Sequence, residues 1–289
     1  MKKFLKKHLI EIILGFILLA GLCLILYPTV SDWWNSFHQS RAIASYVEDV
    51  ENTSEEERMA MLKAAQAYNE MLAKAGNSFI LSEEEEKVYR TLLDVSGTGV
   101  MGYIQIPAIG VNLPIYHGTD ETVLQIAVGH IAGSSLPIGG RSTHSLLSGH
   151  RGLPSAKLFT DLDQVVEGDV FLLNVLGETY TYQVDQIRIV LPEEVDELAI
   201  EQGKDYCTLI TCTPYGVNTH RILARGRRID NAEGEVVIQK EAVRIQPYRV
   251  MLALGIPVLI LIFIITMIYY RLKRPKKDEK EILEDLKNR

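Results

Sequence analysis

The chain is poor in cysteine and in basic charge. It has three cysteines among 289 residues, and its formal net charge is -7. Three cysteines exclude a fold held together by many disulfides, and the acidic balance argues against a nucleic-acid partner. No internal repeat is visible. The length is that of one or two domains with additional segments.

Charged residues are almost absent from two apolar segments near the ends. The first, residues 9–28, contains "IILGFILLAGLCLILY", and the second, residues 250–270, has no charge over 21 residues. About 20 apolar residues in a helix span a bilayer, so both are predicted transmembrane helices. A cleavage site of small residues is also missing after the first, where the chain reads "LILYPTV". This favours an uncleaved anchor over a cleaved signal peptide.

Basic residues flank both predicted spans on their outer sides. Four lysines lie in residues 1–8, and five basic residues lie in residues 271–277, directly after the second span. Because lysine and arginine accumulate on the cytoplasmic side, both termini are predicted to be cytoplasmic. The chain is thus predicted to cross the cell membrane twice, with residues 29–249 on the extracellular face.

One cysteine has no evident partner. Cys212 lies in "TLITCTPYGVN", residues 208–218, and Cys207 is five positions earlier. Five extended residues cover roughly 16 Å, whereas a disulfide needs Cα atoms about 4.4–6.8 Å apart. An odd spacing also directs the two side chains to opposite faces of a strand. Cys212 is therefore predicted to be a free thiol, either reactive or buried and structural, and Cys207 a structural one.

Residues 29–98 are predicted to be helical. Ser54 and Glu57 form a capping box before a helix that Gly76 can end. An earlier helix is predicted over Ser31–Val50, and a third, short helix lies within residues 81–94.

Residues 99–230 are predicted to be mainly β. Short alternating strands are separated by turn residues, and one hairpin turns around Gly177. The spacing, with no regular helices between strands, indicates a β-barrel or a sandwich. Residues 231–249 would link this domain to the second span.

A cysteine nucleophile needs a base or ion-pair partner and donors for an oxyanion. His150 ends the apolar strand in "LLSGHRGLP", and Arg221 follows Cys212 by nine residues at the start of the next strand. Two strands joined by a loop of that length would bring Cys212 and Arg221 together. From spacing alone, an ordinary surface ion pair for Arg221 remains an equal alternative.

At these residues the chain resembles a sortase. The resemblance runs from "GVMGYIQIPAIGVNLPIYHGT" through "GHIAGSSLPIGG" and "THSLLSGHRGLPSAKLFTDLD" to "TLITCTPYGVNTHRILARGRRI", most of residues 99–229. The Thr-Leu-x-Thr-Cys string with a downstream arginine is the hallmark of the family. The extension Thr-Pro-Tyr-Gly-Val-Asn-Thr-His-Arg resembles the class C, pilus-assembling sortases.

The resemblance implies a closed eight-stranded β-barrel and a cysteine transpeptidase of the Gram-positive cell surface. Cys212 would attack the Thr–Gly bond of an LPxTG-like sorting signal and form a thioacyl enzyme. His150 would be the acid and base, Arg221 would stabilise the oxyanion, and Thr211 is a candidate for lining the site. The acceptor would be the lysine of a second pilin. The chemistry implies no metal and no organic cofactor. The resemblance gives no role to His130 or His144, which are interpreted as structural or surface residues.

The chain departs from class C sortases in the lid that precedes the barrel. That lid usually carries Asp-Pro-aromatic, and the nearest match here is Asn77-Ser78-Phe79. Phe79 would supply the ring, and Asn77 would hydrogen-bond Arg221 without forming an ion pair. Ser78 also lacks the rigidity of proline. A lid that opens more readily is therefore expected, with an ordinary loop after a helix cap as the alternative.

Other functions fit parts of the pattern. A housekeeping sortase would attach surface proteins to peptidoglycan, so that its acceptor is a cell-wall amine. A secreted cysteine hydrolase would release free acid. A non-catalytic adaptor would bind sorting signals only, and it has no need of a thiol liable to oxidation.

Overall fold

The computed structural model of the chain describes residues 2–232 and 247–272. Two compact units are present: Met1–Tyr27 with Ile245–Arg289, and Pro28–Arg244. The predicted linker falls mostly outside the described residues, because 233–246 are not among them. The predicted cytoplasmic tail, from residue 273 onward, also lies outside them.

The N-terminal segment is one long helix. Helix α1 runs from Lys2 to Asn52, and it is long and apolar enough to cross a membrane from Ile12 onward. The prediction of a separate helix over Ser31–Val50 was wrong, since Pro28 lies inside α1. Proline removes one backbone donor but needs no glycine-like break, and the turns around it continue the helix.

The C-terminal helix α5 spans Pro247–Leu272. Its apolar stretch Gly255–Tyr269 is shorter than a bilayer requires within the described side chains. The second membrane span therefore stays a prediction.

The two short helices before the barrel begin as the sequence predicts. Helix α2 covers Glu55–Ala75, and helix α3 covers Glu83–Thr91. Each starts with a complete capping box, in which a serine accepts from the third backbone amide and a glutamate accepts from the serine amide. Gly76 ends α2 at φ +85°, a conformation that favours glycine.

Eight strands form a closed barrel, as expected. Their order around the barrel is β1-β2-β3-β4-β7-β8-β6-β5. A four-residue helix, α4 (Glu121–Leu124), lies between β2 and β3. The strands are β1 Val100–Ile106, β2 Val111–His117, β3 Val128–His130, β4 Thr143–Ser148, β5 Val170–Val175, β6 Glu178–Val190, β7 Asp205–Thr213 and β8 His220–Arg228.

The barrel interior is closely packed. Phe171 and Tyr182 are fully buried and stack with ring centroids 5.4 Å apart. Burial of a side chain such as Phe171 contributes about 1.5–3 kcal/mol. A Cβ at Gly226 would lie 2.5 Å from the Phe171 ring, so only glycine fits beside it. This packing makes the barrel a rigid support for residues at its strand ends.

Helix α1 is joined to the barrel by Tyr46. The buried Tyr46 hydroxyl donates to the Met101 carbonyl oxygen (3.1 Å) and accepts from the Leu176 amide (2.8 Å). Burial raises the pKa of Tyr46 to about 12, so the hydroxyl keeps the proton that it donates.

Candidate active site

Cys212 lies near the end of β7 as a partly exposed free thiol. Cys207, on the same strand, is also free and is fully buried in the core. Burial raises the pKa of the Cys207 thiol well above its usual value, so it stays protonated. The prediction of two unpaired cysteines on opposite faces is confirmed. Of the two cysteines on β7, Cys212 is the one exposed to solvent, where a thiol can react.

Arg221 is the register partner of Cys212. Strands β7 and β8 are antiparallel, and Cys212 lies directly opposite Arg221. Directly opposed residues have Cβ atoms roughly 4.5–5.5 Å apart. The Arg221 Nη1 group donates to the carbonyl oxygens of Asn218 (3.1 Å) and His220 (3.0 Å). These bonds hold the guanidinium against the turn between β7 and β8. The predicted proximity of Cys212 and Arg221 is confirmed.

His150 follows β4, which runs parallel to β7. Ser148 is the register partner of Ile210, and the Gly149 amide donates to the Ile210 carbonyl oxygen at 3.0 Å. The loop that begins at His150 therefore starts beside the end of β7 that carries Cys212. Its side chain is 28% exposed, and its Nε2 lies 3.7 Å from a Glu121 carboxylate oxygen on α4.

Thr211 supports the site from behind. Its side chain is buried, and its hydroxyl donates to the Gly149 carbonyl oxygen at 2.7 Å. This corrects the expectation that Thr211 lines the site, because the hydroxyl points to the residue before His150. The bond ties the nucleophile strand to the histidine loop.

Arg151 forms a second tie, which the sequence reasoning missed. Its guanidinium donates to the Thr213 hydroxyl (3.1 Å) and forms an ion pair with Asp163. The side chain is only 9% exposed, and its Nε has no hydrogen-bond partner among the described residues. Arg151, the residue after His150, is thus bonded to Thr213, the residue after Cys212. Its position directly after the histidine in "SGHRG" was the one available signal.

An apolar cavity of about 280 Å³ opens at this end of the barrel. Arg221 contributes to the wall of this cavity, together with residues of the barrel strands and of the loop between β6 and β7. Phe79 lies in the wall as well. The residues that line the cavity are Phe79, Ile131, Leu146, Ser148, Val190, Leu191, Pro192, Glu194, Val195, Leu198, Ile210, Arg221 and Leu223. An extended, mostly apolar segment with few charges fits such a surface.

Residues 77–79 lie beside this cavity and are hydrogen-bonded to two loops of the barrel. The Asn77 side chain donates to the Leu198 carbonyl oxygen at 2.7 Å, and the Ser78 amide donates to the Gly133 carbonyl oxygen at 3.2 Å. The expected bond from Asn77 to Arg221 is therefore not formed, since the amide is used on the β6–β7 loop. A Cβ at Gly133 would collide with the Ser78 carbonyl oxygen.

The other barrel histidines are engaged in buried networks. His130 is fully buried and bonds the Tyr89 hydroxyl (2.9 Å) and the Ser135 carbonyl oxygen (2.9 Å). Burial lowers the pKa of His130 to about 4. His144 bonds the Ala199 carbonyl oxygen and the Thr208 hydroxyl, and burial lowers its pKa too. Both connect loops and helices to the barrel, as their structural interpretation requires.

Candidate metal ligands are not clustered in the part of the chain that the structure describes: no group of three or more His, Cys, Asp or Glu side chains could hold an ion there. The chemistry available at the site is that of a thiol, an imidazole and a guanidinium.

The sequence is similar to known sortases. A family profile described as the Sortase domain matches residues 104–229. Sortase A of Streptococcus agalactiae serotype III is 35% identical over 117 residues, which cover 39% of this chain and 47% of that protein. The chain thus spans about half the length of this curated relative.

Solved structures extend the similarity beyond the barrel. Sortase C1 from Streptococcus agalactiae is 52% identical with a TM-score of 0.65, and the match covers 66% of this chain and 99% of that one. Sortase C from Streptococcus pneumoniae is 41% identical with a TM-score of 0.60, covering 66% of this chain and 97% of that one.

Proposed function

The chain belongs to the sortase family, and from this we propose that it is a membrane-anchored cysteine transpeptidase that polymerises pilus subunits. It cleaves an LPxTG-like sorting signal between Thr and Gly and transfers the acyl group to a pilin lysine. The observation that carries the proposal is the pairing of Cys212 with Arg221, next to the loop that begins with His150.

The first half-reaction forms a thioester. The Cys212 thiolate attacks the threonine carbonyl carbon, and the carbonyl oxygen becomes an oxyanion. Arg221, the register partner of Cys212, donates to that oxyanion through its guanidinium. The C–N bond then breaks, and protonated His150 gives its proton to the leaving glycine amine.

The second half-reaction forms an isopeptide bond. A lysine amine attacks the thioester carbonyl, and neutral His150 takes the proton that the amine loses. Collapse of the tetrahedral intermediate expels the Cys212 thiolate. His150 ends protonated and Cys212 ionised, as they began, so the cycle needs no external acid, metal or organic cofactor.

The cavity is the proposed binding surface for the sorting signal. Apolar side chains from β4, β7, β8 and the β6–β7 loop form most of its wall, and Arg221 lies within it. An extended apolar peptide bound along this wall would bring its scissile carbonyl to the Cys212 end. The mostly apolar wall favours a signal with apolar residues before its threonine.

Segment 77–79 is the proposed lid. Phe79 contributes to the cavity wall, which is the position required of a ring that covers the binding surface. Asn77 holds the segment to Leu198 through one neutral hydrogen bond. A neutral bond is weaker than an ion pair, so this lid is expected to open more readily than one held by a carboxylate.

The class assignment to pilus assembly is supported by the nature of the similar structures. The match to Sortase C1 of S. agalactiae takes in 66% of this chain, which is more than the barrel alone. The S. pneumoniae structure is described in relation to pilin substrate specificity. The alternative is a housekeeping sortase that uses a peptidoglycan amine as the acceptor.

The proposed topology places the barrel outside the cell. Residues 9–28 and 250–270 would span the membrane, with residues 1–8 and 271–289 in the cytoplasm and the linker 231–249 outside. The long apolar helix α1 and the basic residues at both ends support this arrangement. Secreted pilins that are tethered to the membrane would then meet the site on the same face.

Mass spectrometry of the full chain in detergent tests the chemistry. The protein is mixed with an LPxTG-type peptide, next to Cys212→Ala, and the intact mass is recorded. We expect a thioester adduct on the native protein and none on the variant. A candidate pilin is then offered as the amine donor and compared with a cell-wall peptide amine.

Each outcome identifies one of the alternatives. An isopeptide product with pilin lysine supports pilus assembly. A product with the cell-wall amine alone supports a housekeeping sortase that attaches surface proteins to peptidoglycan. Release of free acid only would indicate a hydrolase. Absence of any adduct, also after Phe79→Ala opens the cavity, would contradict the transpeptidase and favour an adaptor.

A further inference from the structure

Four large apolar side chains form an exposed stripe on α1. Val30, Trp33, Trp34 and Phe37 are 58%, 66%, 57% and 55% exposed. At 100° per residue they fall on one side of the helix. They are called the aromatic stripe below. Burying this much aromatic surface is strongly favourable, so its exposure marks a contact with another phase or molecule.

The opposite side of the same helical turns faces the barrel. Ser31 and Asn35 donate to the Ser155 carbonyl oxygen at 3.1 and 2.6 Å, and Asp32 accepts from the Lys157 amide at 2.8 Å. The barrel therefore contacts the polar side, and the aromatic stripe is directed away from it.

We propose that the aromatic stripe is a bilayer-interface surface, seated among the lipid headgroups on the extracellular face. The stripe begins three residues after Tyr27, the last residue of the apolar run. Residues 9–27 extend about 28 Å as a helix, close to the roughly 30 Å of a hydrocarbon core. Trp33 then follows about 9 Å further along, where tryptophan is enriched at the interface.

The area of the stripe distinguishes lipid from a second copy of the chain. Four side chains exposed by a little over half present roughly 400–500 Å². A stable protein interface needs about 800 Å² on each partner. The stripe is thus too small to hold a dimer alone, but it follows directly in sequence on an apolar segment that is long enough to cross a membrane. Continuity along α1 therefore favours the bilayer as its occupant.

The position matters for the proposed reaction. Ser155 and Lys157 belong to the loop 150–159, which the bond from the Phe159 amide to the His150 carbonyl oxygen (3.1 Å) closes. A stripe held at the lipid surface would set the height of this loop, and of His150, above the membrane. This consequence rests on the proposed transpeptidase, whereas the lipid contact itself does not.

Tryptophan fluorescence gives a direct test, because Trp33 and Trp34 are the only two tryptophans in the sequence. The full chain is reconstituted in phosphatidylcholine–phosphatidylglycerol vesicles whose acyl chains carry bromine near the headgroup or near the methyl end. We expect blue-shifted emission, stronger quenching by the shallow bromine than by the deep one, and little quenching by aqueous iodide. Trp33→Phe and Trp34→Phe report each ring separately.

A matched control places the reporter elsewhere. In the double variant without tryptophans, Ile80→Trp puts one at a residue that is 90% exposed. Its emission should respond to iodide and not to bromine. Iodide quenching of Trp33 and Trp34 without bromine quenching would overturn the proposal, and so would deeper quenching by the methyl-end bromine. Protection from both quenchers that disappears on dilution in lipid would indicate a second copy instead. None of these readouts depends on catalysis, so they leave the transpeptidase proposal untouched.

Discussion

His130 and His150 both stand at or just past the ends of neighbouring strands, β3 and β4, but their surroundings differ. His130 is fully buried, and both ring nitrogens have partners, the Tyr89 hydroxyl and the Ser135 carbonyl oxygen. His150 is 28% exposed, and its Nε2 lies 3.7 Å from a Glu121 carboxylate oxygen. The buried ring is thus enclosed by partners, while the exposed ring has an open side.

The same contrast separates the two cysteines on β7. Cys207 is buried and protonated, whereas Cys212 is partly exposed opposite an arginine. In both pairs the residue that packs and the residue proposed to react are the same chemical group. The surroundings therefore decide the role: complete burial with satisfied partners gives stability, and a rigid strand end with an open side gives chemistry.

The largest expected effect is that of the nucleophile. Cys212→Ala should reduce acyl transfer by at least about 10³-fold, because the remaining groups can only bind and polarise the substrate. Its melting temperature should stay near that of the native protein, since the side chain is partly exposed. Peptide cleavage and calorimetry measure the two.

Cys207→Ala is the matched control for that variant. It should lose roughly 1 kcal/mol of stability through a small cavity, and keep its acyl-enzyme. Loss of the adduct in a folded Cys207→Ala protein would show that the two thiols are not separated in role as proposed.

Replacement of the proposed acid and base ranks second. His150→Gln should lower the transfer rate about 10²–10⁴-fold, the usual contribution of a positioned proton donor and acceptor. His220→Gln replaces the partly exposed ring next to Arg221 in the sequence, which bonds the Thr219 hydroxyl, and it should change the rate little. Equal losses in both variants would argue that the loop, and not the imidazole, is responsible.

The pH dependence of stability sharpens the contrast from the buried side. The pKa of His130 is lowered from 6.5 to about 4 in the folded protein, so between these values the unfolded chain binds a proton that the folded one does not. Stability from this group is complete above pH 6.5 and is lost as the pH falls towards 4, by about 3 kcal/mol. Urea unfolding across this range measures it.

His130→Gln removes that titration. The variant should be less stable at neutral pH, because its bond with Tyr89 is lost, but its curve between pH 6.5 and 4 should be flatter. An equally steep curve would assign the pH dependence to other groups, with His144 the first to examine because burial lowers its pKa as well.

A smaller effect is expected from the arginine next to His150. Arg151→Lys cannot bond Thr213 and Asp163 at the same time with a planar fork, so the ends of β4 and β7 should be held less well. We expect a fall of roughly tenfold in kcat with a nearly constant KM, since the cavity wall is unchanged. A rise in KM alone would indicate a substrate contact instead.

The smallest effect is expected at the lid. Asn77→Ala removes the bond to Leu198, and acylation by short peptides should rise by about two- to fivefold. Phe79→Ala should act in the same direction, because it removes the ring from the cavity wall. A rate that both variants leave unchanged would count against a lid and identify residues 77–79 as an ordinary loop.

Local signals predicted their features well. The capping boxes before α2 and α3 involve residues three apart, and the nine-residue spacing between Cys212 and Arg221 defines a single hairpin. Such contacts are set by short stretches of chain, which a sequence displays directly.

Contacts between distant segments were not predictable in the same way. Thr211 bonds Gly149 across 62 positions, and Asn77 bonds Leu198 across 121. Both depend on which strands become neighbours in the closed barrel, and a parallel pairing such as β4 with β7 leaves no turn signal between its strands. The fate of Pro28 was missed for another reason, because a proline permits continuation of a helix as well as its end.

The parallel pairing of β4 with β7 also bears on how the enzyme comes into being. A chain synthesised from its N-terminus delivers His150 first, Cys212 sixty-two residues later and Arg221 last, in β8, the final strand along the chain. No partial chain that ends before β8 brings the three together. The proposed site is therefore completed only when the barrel closes. An unfinished or misfolded molecule has a thiol without the partners that are proposed to make it reactive towards neighbouring molecules.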